Sequence, residues 1–511
     1  MFKQTIILSA LIVITTFFII SSCVHSPQVA VIPADGEYPK EVGAILINKC
    51  AVSGCHNQAS YVYAGGLLLD SWSHLLNGSA SGAAIVAYSP QFSPLLYHTN
   101  TDSSLGIIDL PAMPYSTPGK PMPPLSKTEY QTLYNWIAKG APDKNGNIPF
   151  ASDPTTRQKI YLTQSGCDLV AVIDAQTRVV MRYIPVGLNP GQIENMHDIE
   201  VSSDGMYAYI VFLAGNYIQK IDTRTDTVVA SLNLGTINSF SYGWSILLIS
   251  PTGNDLVTSD FLSSSPGFVT PVITAGNMQI GSWNAGPSFT YPHGIGACPS
   301  FDTFFVTCQF GNIVYKFSTN IVPGKNPLFK QIPIEGAAFI TDSNKSVDPH
   351  QIQMSPDNSK YFVTCQRSNE VRVMDAYTDQ LLDSISVGIK PQEMALSESH
   401  HYLFVACEED SNAIGRKGSI YVLDYTQTPL KIVKVLYGNF YQPHDITVDE
   451  KDGLIFIPSL NANPNGPAPH HATSCGGRAG WYSVYNLNTL EPADNKQYNV
   501  LVYPYAIATR F

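Results

Sequence analysis

The stretch Pro349-His350-Gln-Ile-Gln-Met354, followed by Tyr361-Phe-Val-Thr-Cys365, is typical of two short β-strands joined by a polar turn. Fifteen residues separate the His near the start of the first strand from the Cys that ends the second. The same offset recurs in six pairs along the 511-residue chain: His197 and Phe212, Trp244 and Ser259, His293 and Cys308, His350 and Cys365, Gln392 and Cys407, His444 and Ser459. A unit repeated at one fixed offset indicates an array of supersecondary units.

Two further strand patterns follow each copy, and successive copies start 42 to 61 residues apart. Four strands in a repeat of this length are typical of one blade of a β-propeller. The last copy is split, because Tyr503-Pro504-Tyr505 matches the start of the repeat but no second strand follows it. The stretch Lys159-Ile-Tyr-Leu-Thr-Gln164 has no first strand before it. We therefore predict an all-β seven-bladed propeller over residues 155–511, in which residues 503–511 close the first blade.

The second-strand pattern Tyr361-Phe-Val-Thr-Cys365 resembles the repeats of YVTN-type propellers, and the resemblance covers about residues 155–511. The innermost strand of a blade starts at the top face, near the central channel, and the second strand returns to that face. We therefore expect the histidines that begin the innermost strands to share one level: His197, His293, His350 and His444.

Other potential ligands are expected at the same face. Cys308, Cys365 and Cys407 end second strands, and the long segment around residues 461–480 carries His470, His471 and Cys475. Imidazole and thiolate groups bind copper and other transition metals, so the six histidines form a tentative metal site with up to four thiols beside them. The alternative is structural: the histidines would hydrogen-bond the neighbouring blade, and the cysteines would be small buried side chains.

The stretch Cys50-Ala-Val-Ser-Gly-Cys55-His56 lies far upstream of the repeats. Two cysteines followed at once by a histidine are typical of a c-type haem attachment site, in which both thiols bond the haem and the histidine binds its iron. Four residues separate the cysteines here, where two are usual. A local disulfide and a zinc site are the alternatives, although no second Cys/His pair at zinc-finger spacing follows.

The order of the motifs that follow is similar to that of planctomycete-type cytochrome c domains: Gly65-Gly66-Leu-Leu-Leu-Asp70, Ser81-Gly82-Ala-Ala-Ile85, Met122-Pro123-Pro124 and Trp136-Ile137-Ala-Lys-Gly140. The resemblance implies a small all-α haem domain over residues 42–150, with haem c bonded to Cys50 and Cys55. It implies that His56 is the proximal ligand of the iron and Met122 the distal ligand. Met113 competes with Met122 for the distal position, and His98 is a weaker candidate.

The amino-terminal residues are typical of an exported protein. Lys3 precedes an apolar run from Ile6 to Ile20, which is short for a transmembrane span. The tetrapeptide Ile20-Ser-Ser-Cys23 resembles a bacterial lipobox, which implies a signal peptide over residues 1–22 and acylation of Cys23. Residues 23–41 would then form a tether to the membrane. An ordinary cleaved signal peptide is the alternative.

The net charge of −11 argues against a nucleic-acid partner. We expect a lipoprotein of the cell envelope, on the outer membrane and facing the periplasm or the exterior, that transfers electrons through haem c to a redox partner protein. The propeller would then be a platform for that partner. One alternative is an oxidoreductase with a metal or second cofactor at the propeller top, fed by the haem. Another is a non-catalytic binding propeller whose cytochrome senses redox state.

Overall fold

The computed structural model describes residues 35–116, 121–234, 243–261, 273–280, 289–318, 329–335, 347–460, 475 and 480–510. The lipobox, with Cys23, and the pair His470 and His471 lie outside these residues. The described chain contains a helical unit, residues 35–150, followed by seven four-stranded sheets. None of its described helices combines the length and the apolar character that crossing a bilayer requires.

Within the described ranges, 28 antiparallel strands form the seven blades. Blade 1 contains β1 (Lys159–Gln164), β2 (Leu169–Asp174), β3 (Val180–Pro185) and β28 (Pro504–Arg510). Blade 2 contains β4 (Met196–Val201), β5 (Tyr207–Phe212), β6 (Tyr217–Asp222) and β7 (Thr227–Asn233). Blade 3 contains β8 (Trp244–Ile249), β9 (Asp255–Asp260), β10 (Ile273–Thr274) and β11 (Gln279–Ile280). Blade 4 contains β12 (Pro292–Ala297), β13 (Thr303–Cys308), β14 (Ile313–Ser318) and β15 (Phe329–Pro333).

In blades 2 to 7 the strands follow one another in chain order from the channel outward, whereas β28 is the innermost strand of blade 1. Blade 5 contains β16 (Pro349–Met354), β17 (Lys360–Cys365), β18 (Glu370–Asp375) and β19 (Leu381–Ser386). Blade 6 contains β20 (Ile389–Ser397), β21 (Tyr402–Glu409), β22 (Ser419–Asp424) and β23 (Lys431–Tyr437). Blade 7 contains β24 (Thr447–Asp449), β25 (Leu454–Ser459), β26 (Gly480–Asn486) and β27 (Tyr498–Val500). The prediction of seven blades is confirmed.

The carboxyl-terminal strand closes the ring. β28 pairs with β1, with Lys159 opposite Arg510 and Leu162 opposite Ile507, so the first and last strands of the propeller share blade 1. The Arg510 side chain is buried, and its guanidinium donates to backbone carbonyls of Pro154, Thr155 and Gly205. A guanidinium has no acceptor atoms, and these carbonyls satisfy its donors inside the protein.

The apolar second strands are explained by packing on both of their faces. Phe304 packs toward blade 3 and the next residue, Phe305, toward blade 5, because successive side chains of a strand point to opposite faces. Tyr361 and Phe362 divide in the same way between blades 4 and 6. Each of the seven interfaces between neighbouring blades holds one cluster of described apolar residues. A strand buried on both faces is expected to be apolar along its whole length.

The inner strands carry a β-bulge near the repeated histidine position. In six blades the register between the inner and second strands shifts there, with one extra residue on the inner strand. In blade 4, for example, Pro292 pairs with Cys308 and Ile295 with Val306. A bulge re-aims the side chains beside it, so the pattern positions two consecutive residues of each of these six blades near the channel.

The helical unit packs around its own apolar cluster, which includes Val42, Leu46, Leu133 and Ile137. Its helices are α1 (Lys40–Ile45), α2 (Trp72–Leu75), α3 (Pro94–Thr99) and α4 (Lys127–Ala138), with a π-helical turn (Leu46–Cys50) and three 3₁₀ turns (Tyr61–Tyr63, Pro90–Phe92, Ser103–Leu105). A compact all-α domain is not evident, since most residues between these short helices are in turns or irregular structure. The Gly- and Pro-rich connecting segments account for this, because neither residue favours a helix interior.

The helical unit contacts the outer edge of blades 1 and 7. The backbone N–H groups of Gln497 and Asn499 donate to the carbonyls of Ala80 and Ser81. Phe92 packs edge-on against Tyr183 of β3, with ring centroids 5.2 Å apart. The unit therefore covers part of the outer propeller edge, which otherwise presents unpaired strand groups.

Candidate functional sites

Four histidines meet at the top of the channel. The ring centroids of His293 and His350 are 4.1 Å apart, those of His197 and His293 5.5 Å, and those of His350 and His444 6.0 Å. Tyr505 occupies the same position in blade 1 and stacks on His444 at 3.8 Å. All five side chains are buried. The structure thus brings together the four described histidines of the predicted metal site. That they bind a metal ion stays a prediction.

Two of these histidines join neighbouring blades by hydrogen bonds. Nδ1 of His197 lies 2.9 Å from the Ser245 carbonyl of blade 3, and the Tyr505 hydroxyl lies 3.0 Å from Nε2 of His197. A carbonyl can only accept, so Nδ1 donates and Nε2 accepts from the hydroxyl. Nδ1 of His293 lies 3.3 Å from the His350 carbonyl of blade 5. For His197 and His293, the geometry favours the structural alternative.

The other two histidines lie beside a carboxylate that the sequence analysis missed. Among the residues that the structure describes, one group of at least three potential metal ligands is His350, Glu393 and His444, whose ligand atoms all lie within 4.8 Å of one another. Nδ1 of His350 is 3.7 Å from Oε1 of Glu393. The three residues come from blades 5, 6 and 7 and are all buried.

Glu393 belongs to the degenerate repeat copy Pro391-Gln392-Glu393, in which a glutamine replaces the histidine. The recurring signal was an acidic residue directly after the histidine position, which Asp198 and Asp445 also provide. Gly294 has that position in blade 4, where a Cβ would lie 2.4 Å from the His350 carbonyl. The close approach of the two blades therefore excludes a longer side chain there.

Four carboxyl groups lie close together along the channel. Burial raises the pKa of Asp198 to about 7 and that of Asp445 to about 8, and it raises the pKa values of Glu200 and Glu393 well above their usual range. Asp445, Asp198 and Glu200 also repel charge on Glu393. The carboxylates of Asp198 and Asp445 accept N–H groups of the next blade, from Leu247 and Ile507. These two aspartates therefore connect blades.

The repeated cysteines do not converge as the metal hypothesis supposed. Cys308, Cys365 and Cys407 are fully buried in three different clusters between blades, because their side chains point into the interfaces and not into the channel. Burial raises the pKa of the Cys308 thiol to about 12. Cys475 is not a free thiol, since it forms a disulfide with Cys167. That bond, which connects Cys475 to the turn between β1 and β2 of blade 1, was not predicted from the sequence.

The haem-attachment motif forms a tight turn after the π-helical turn. The backbone N–H of His56 donates to the Cys50 carbonyl, and the sulfurs of Cys50 and Cys55 are not joined to each other. Ser53 and Gly54, between the two cysteines, are exposed. Nδ1 of His56 lies 3.0 Å from the Leu67 carbonyl and donates to it. Burial lowers the pKa of His56, which favours the neutral imidazole.

The three candidates for the distal ligand are His98 and Met113, which are hydrogen-bonded to each other, and Met122, which is bonded to Ser116. Met113 donates its backbone N–H to the His98 carbonyl, and the charge of His98 contributes to the lowered pKa of His56. His98 is therefore an electrostatic neighbour of His56, and Met113 is hydrogen-bonded to His98. Met122 is half-buried, and the Ser116 hydroxyl bonds both its N–H and its carbonyl. The choice among Met122, Met113 and His98 stays open.

The segment before Met113 presents apolar side chains to solvent. Ile107, Ile108 and Leu110 are exposed, Leu110 to 76% of its surface. This segment runs beside α3, since the Asp109 N–H donates to the Tyr97 carbonyl. These three side chains form an exposed apolar patch beside α3.

A groove of about 540 Å³ opens on the opposite face of the propeller, between blades 1 and 7. Its lining is mostly charged and polar, and it includes the ion pair between Arg157 and Asp174. None of the channel histidines lines it. Arg178, also in the lining, pairs with Asp494 outside the groove. We assign the groove no chemistry.

No protein-family model and no curated protein matches this chain. Among solved structures, a functionally unknown protein from Desulfotomaculum acetoxidans DSM 771 aligns with a TM-score of 0.50 at 14% sequence identity, over 68% of this chain and 100% of that chain. Kuenenia stuttgartiensis hydrazine synthase aligns with a TM-score of 0.48 at 14% identity, over 63% of this chain and 91% of that chain. Identity this low is evidence of fold alone. The chain is thus similar in fold to the Desulfotomaculum acetoxidans protein.

Proposed function

We propose that this protein is a c-type cytochrome of the cell envelope that transfers electrons. Haem c would be bonded to Cys50 and Cys55, with Nε2 of His56 as the proximal ligand of the iron. One observation carries the proposal: two cysteines whose sulfurs are not bonded to each other precede a half-buried histidine whose Nδ1 donates to the Leu67 carbonyl. A metal-bound histidine commonly donates its other ring nitrogen in this way, which fixes the ring and its tautomer.

The two sulfurs suit thioether bonds. Cys50 is buried, and burial raises the pKa of its thiol to about 12, so as a free side chain it would be an inert thiol. A thioether has no proton to lose, so burial of the bonded sulfur would carry no penalty for charge. The exposed Ser53 and Gly54 allow the longer spacer to bulge outward without displacing either cysteine.

The haem would supply one-electron chemistry, and its surroundings fit an apolar group. The segment that holds the exposed Ile107, Ile108 and Leu110 lies beside α3, which carries His98. A haem between His56 and this segment would cover apolar surface that is now exposed. A methionine as distal ligand would raise the reduction potential, which suits an electron carrier.

The propeller would serve as the rigid platform for a redox partner protein, and acylated Cys23 would attach the protein to the outer membrane. Two acyl signals on one residue are sufficient for stable attachment. Labelling cells with a fatty-acid analogue tests the anchor: label should enter the wild-type protein and be absent from Cys23→Ser. Label in both proteins would refute acylation at Cys23.

Expression with a cytochrome c maturation system tests the haem assignment. The purified protein should show a reduced α-band and retain haem on a denaturing gel. Cys50→Ala combined with Cys55→Ala should abolish covalent haem, because both thioether bonds are lost. The matched control is Cys298→Ala, which removes a half-buried unpaired thiol of the propeller and should leave the haem unchanged.

A colourless wild-type protein in which iodoacetamide, added after denaturation, alkylates both Cys50 and Cys55 would refute the proposal. Met122→Leu, Met113→Leu and His98→Leu then identify the distal ligand. The variant that loses the ligand should shift the reduction potential and the visible spectrum, whereas the other two should leave both unchanged.

A further inference from the structure

The channel histidines differ in how their ring nitrogens are used. Both ring nitrogens of His197 have hydrogen-bond partners, and His293 contacts a backbone carbonyl of blade 5. His350 instead has the carboxylate of Glu393 at 3.7 Å, and His444 completes a group whose ligand atoms lie within 4.8 Å of one another. At the top of the channel, His197 and His293 therefore join blades by hydrogen bonds. On the other side, potential metal-ligand atoms of His350, Glu393 and His444 converge.

Glu393 also differs from the other channel carboxylates. Asp198 accepts from the N–H groups of Ile199 and Leu247, and Asp445 from those of Ile446 and Ile507, so both carboxylates are fixed by backbone groups. Glu393 interacts with the side chains of His350 and Gln351. Its carboxylate thus faces imidazole and amide groups, with further carboxyls behind it.

We propose that His350, Glu393 and His444 bind a divalent transition-metal ion of the zinc type. Two imidazoles and one carboxylate are a ligand set that zinc accepts, with a fourth position left for water or another small ligand. Tetrahedral zinc with bonds of about 2.0–2.1 Å separates its ligand atoms by about 3.4 Å. The distance between His350 Nδ1 and Glu393 Oε1 is close to that value, and side-chain rotation can close the longer separations.

The site lies among further carboxyl groups, those of Asp198, Glu200 and Asp445. A bound divalent ion would favour the ionised form of Glu393 in a site from which bulk water is largely excluded. His470 and His471 lie outside the described residues, so the proposal does not use them.

Zinc titration of the chelator-treated full-length protein tests the site, with stoichiometry and affinity measured by calorimetry and metal analysis. The wild-type protein should bind one zinc ion, and His350→Gln, His444→Gln and Glu393→Gln should each weaken binding at least about 10- to 100-fold. Glutamine is the chosen replacement because Gln392 already occupies the equivalent position in blade 6. His400→Gln, in a turn on the opposite face, is the matched control and should bind like the wild type.

The titration is repeated in the variant that lacks Cys50 and Cys55, so that loss of haem and loss of zinc are measured separately. If a variant fails to fold, as judged by circular dichroism, cobalt(II) bound to the wild-type protein gives the second measurement. Its visible spectrum should indicate tetrahedral coordination, and X-ray absorption should show two imidazole ligands. Wild-type protein without bound zinc, or three variants that bind as tightly as His400→Gln, would overturn the proposal.

Discussion

The haem-attachment turn and the mouth of the propeller both use histidines with Nδ1 directed at a backbone carbonyl, yet they are built differently. His56 and its carbonyl partner Leu67 are eleven residues apart, whereas His197 and Ser245 are forty-eight apart and lie in different blades. The first arrangement depends on one turn, and the second exists only when the ring of blades is closed. We therefore expect the haem-attachment turn to survive damage to the ring, whereas a site shared among blades would be lost.

Opening the ring should give the largest difference between the two regions. Arg510→Ala removes a buried guanidinium and leaves several carbonyls without a donor, so we expect the propeller to lose about 3–5 kcal/mol of unfolding free energy. Calorimetry and zinc affinity measure the loss at the mouth. Arg510→Lys is the control, since it keeps the charge but not the planar fork. If Arg510→Ala alters the haem spectrum as well as weakening zinc binding, the two regions are not independent.

Removal of the disulfide should have the next largest effect. Cys167→Ser combined with Cys475→Ser should lower the free energy of unfolding of the propeller by about 2–4 kcal/mol, because the bond connects residues 308 positions apart. Thermal unfolding measures the effect against Cys298→Ala. Zinc affinity should not change, since the disulfide leaves Cys475 unable to act as a thiolate ligand. A large loss of zinc affinity in the double variant would instead implicate the top segment in the site.

The channel carboxyls should give the smallest effect, and it depends on pH. Burial raises the pKa of Asp198 to about 7 in the folded protein, so its contribution to stability is fully present below pH 4 and is lost as the pH rises through 7. Asp198→Asn should therefore reduce the fall in unfolding free energy between pH 5 and 8 by about 1–2 kcal/mol, a value discounted for the solvent that reaches the channel.

Denaturant unfolding of metal-free protein at several pH values measures this slope. Asp357→Asn is the control. Hydrogen bonds from Ser355 and Ser359 lower the pKa of Asp357, so this substitution should change the unfolding free energy only at acidic pH. If unfolding free energy falls with pH as steeply in Asp198→Asn as in the wild type, burial does not raise the pKa of Asp198 in the folded protein.

The sequence by itself determined the architecture of the propeller. Six copies at one offset and a split seventh specify seven blades and the closure by β28, because each copy carries strands that only neighbouring blades can bury. The sequence also placed four histidines at one level of the channel. Ser126 and Glu129, three residues apart in the sequence, form a capping box at the start of α4.

Tertiary structure alone decided what those histidines can do. The sequence could not separate His197 and His293 from His350 and His444, since the four share one pattern and differ only in what the neighbouring blade presents to each ring. It also could not pair Cys167 with Cys475 or bring Glu393 between two histidines, because these residues are remote along the chain. Side-chain chemistry is local, whereas proximity between blades depends on closure of the ring.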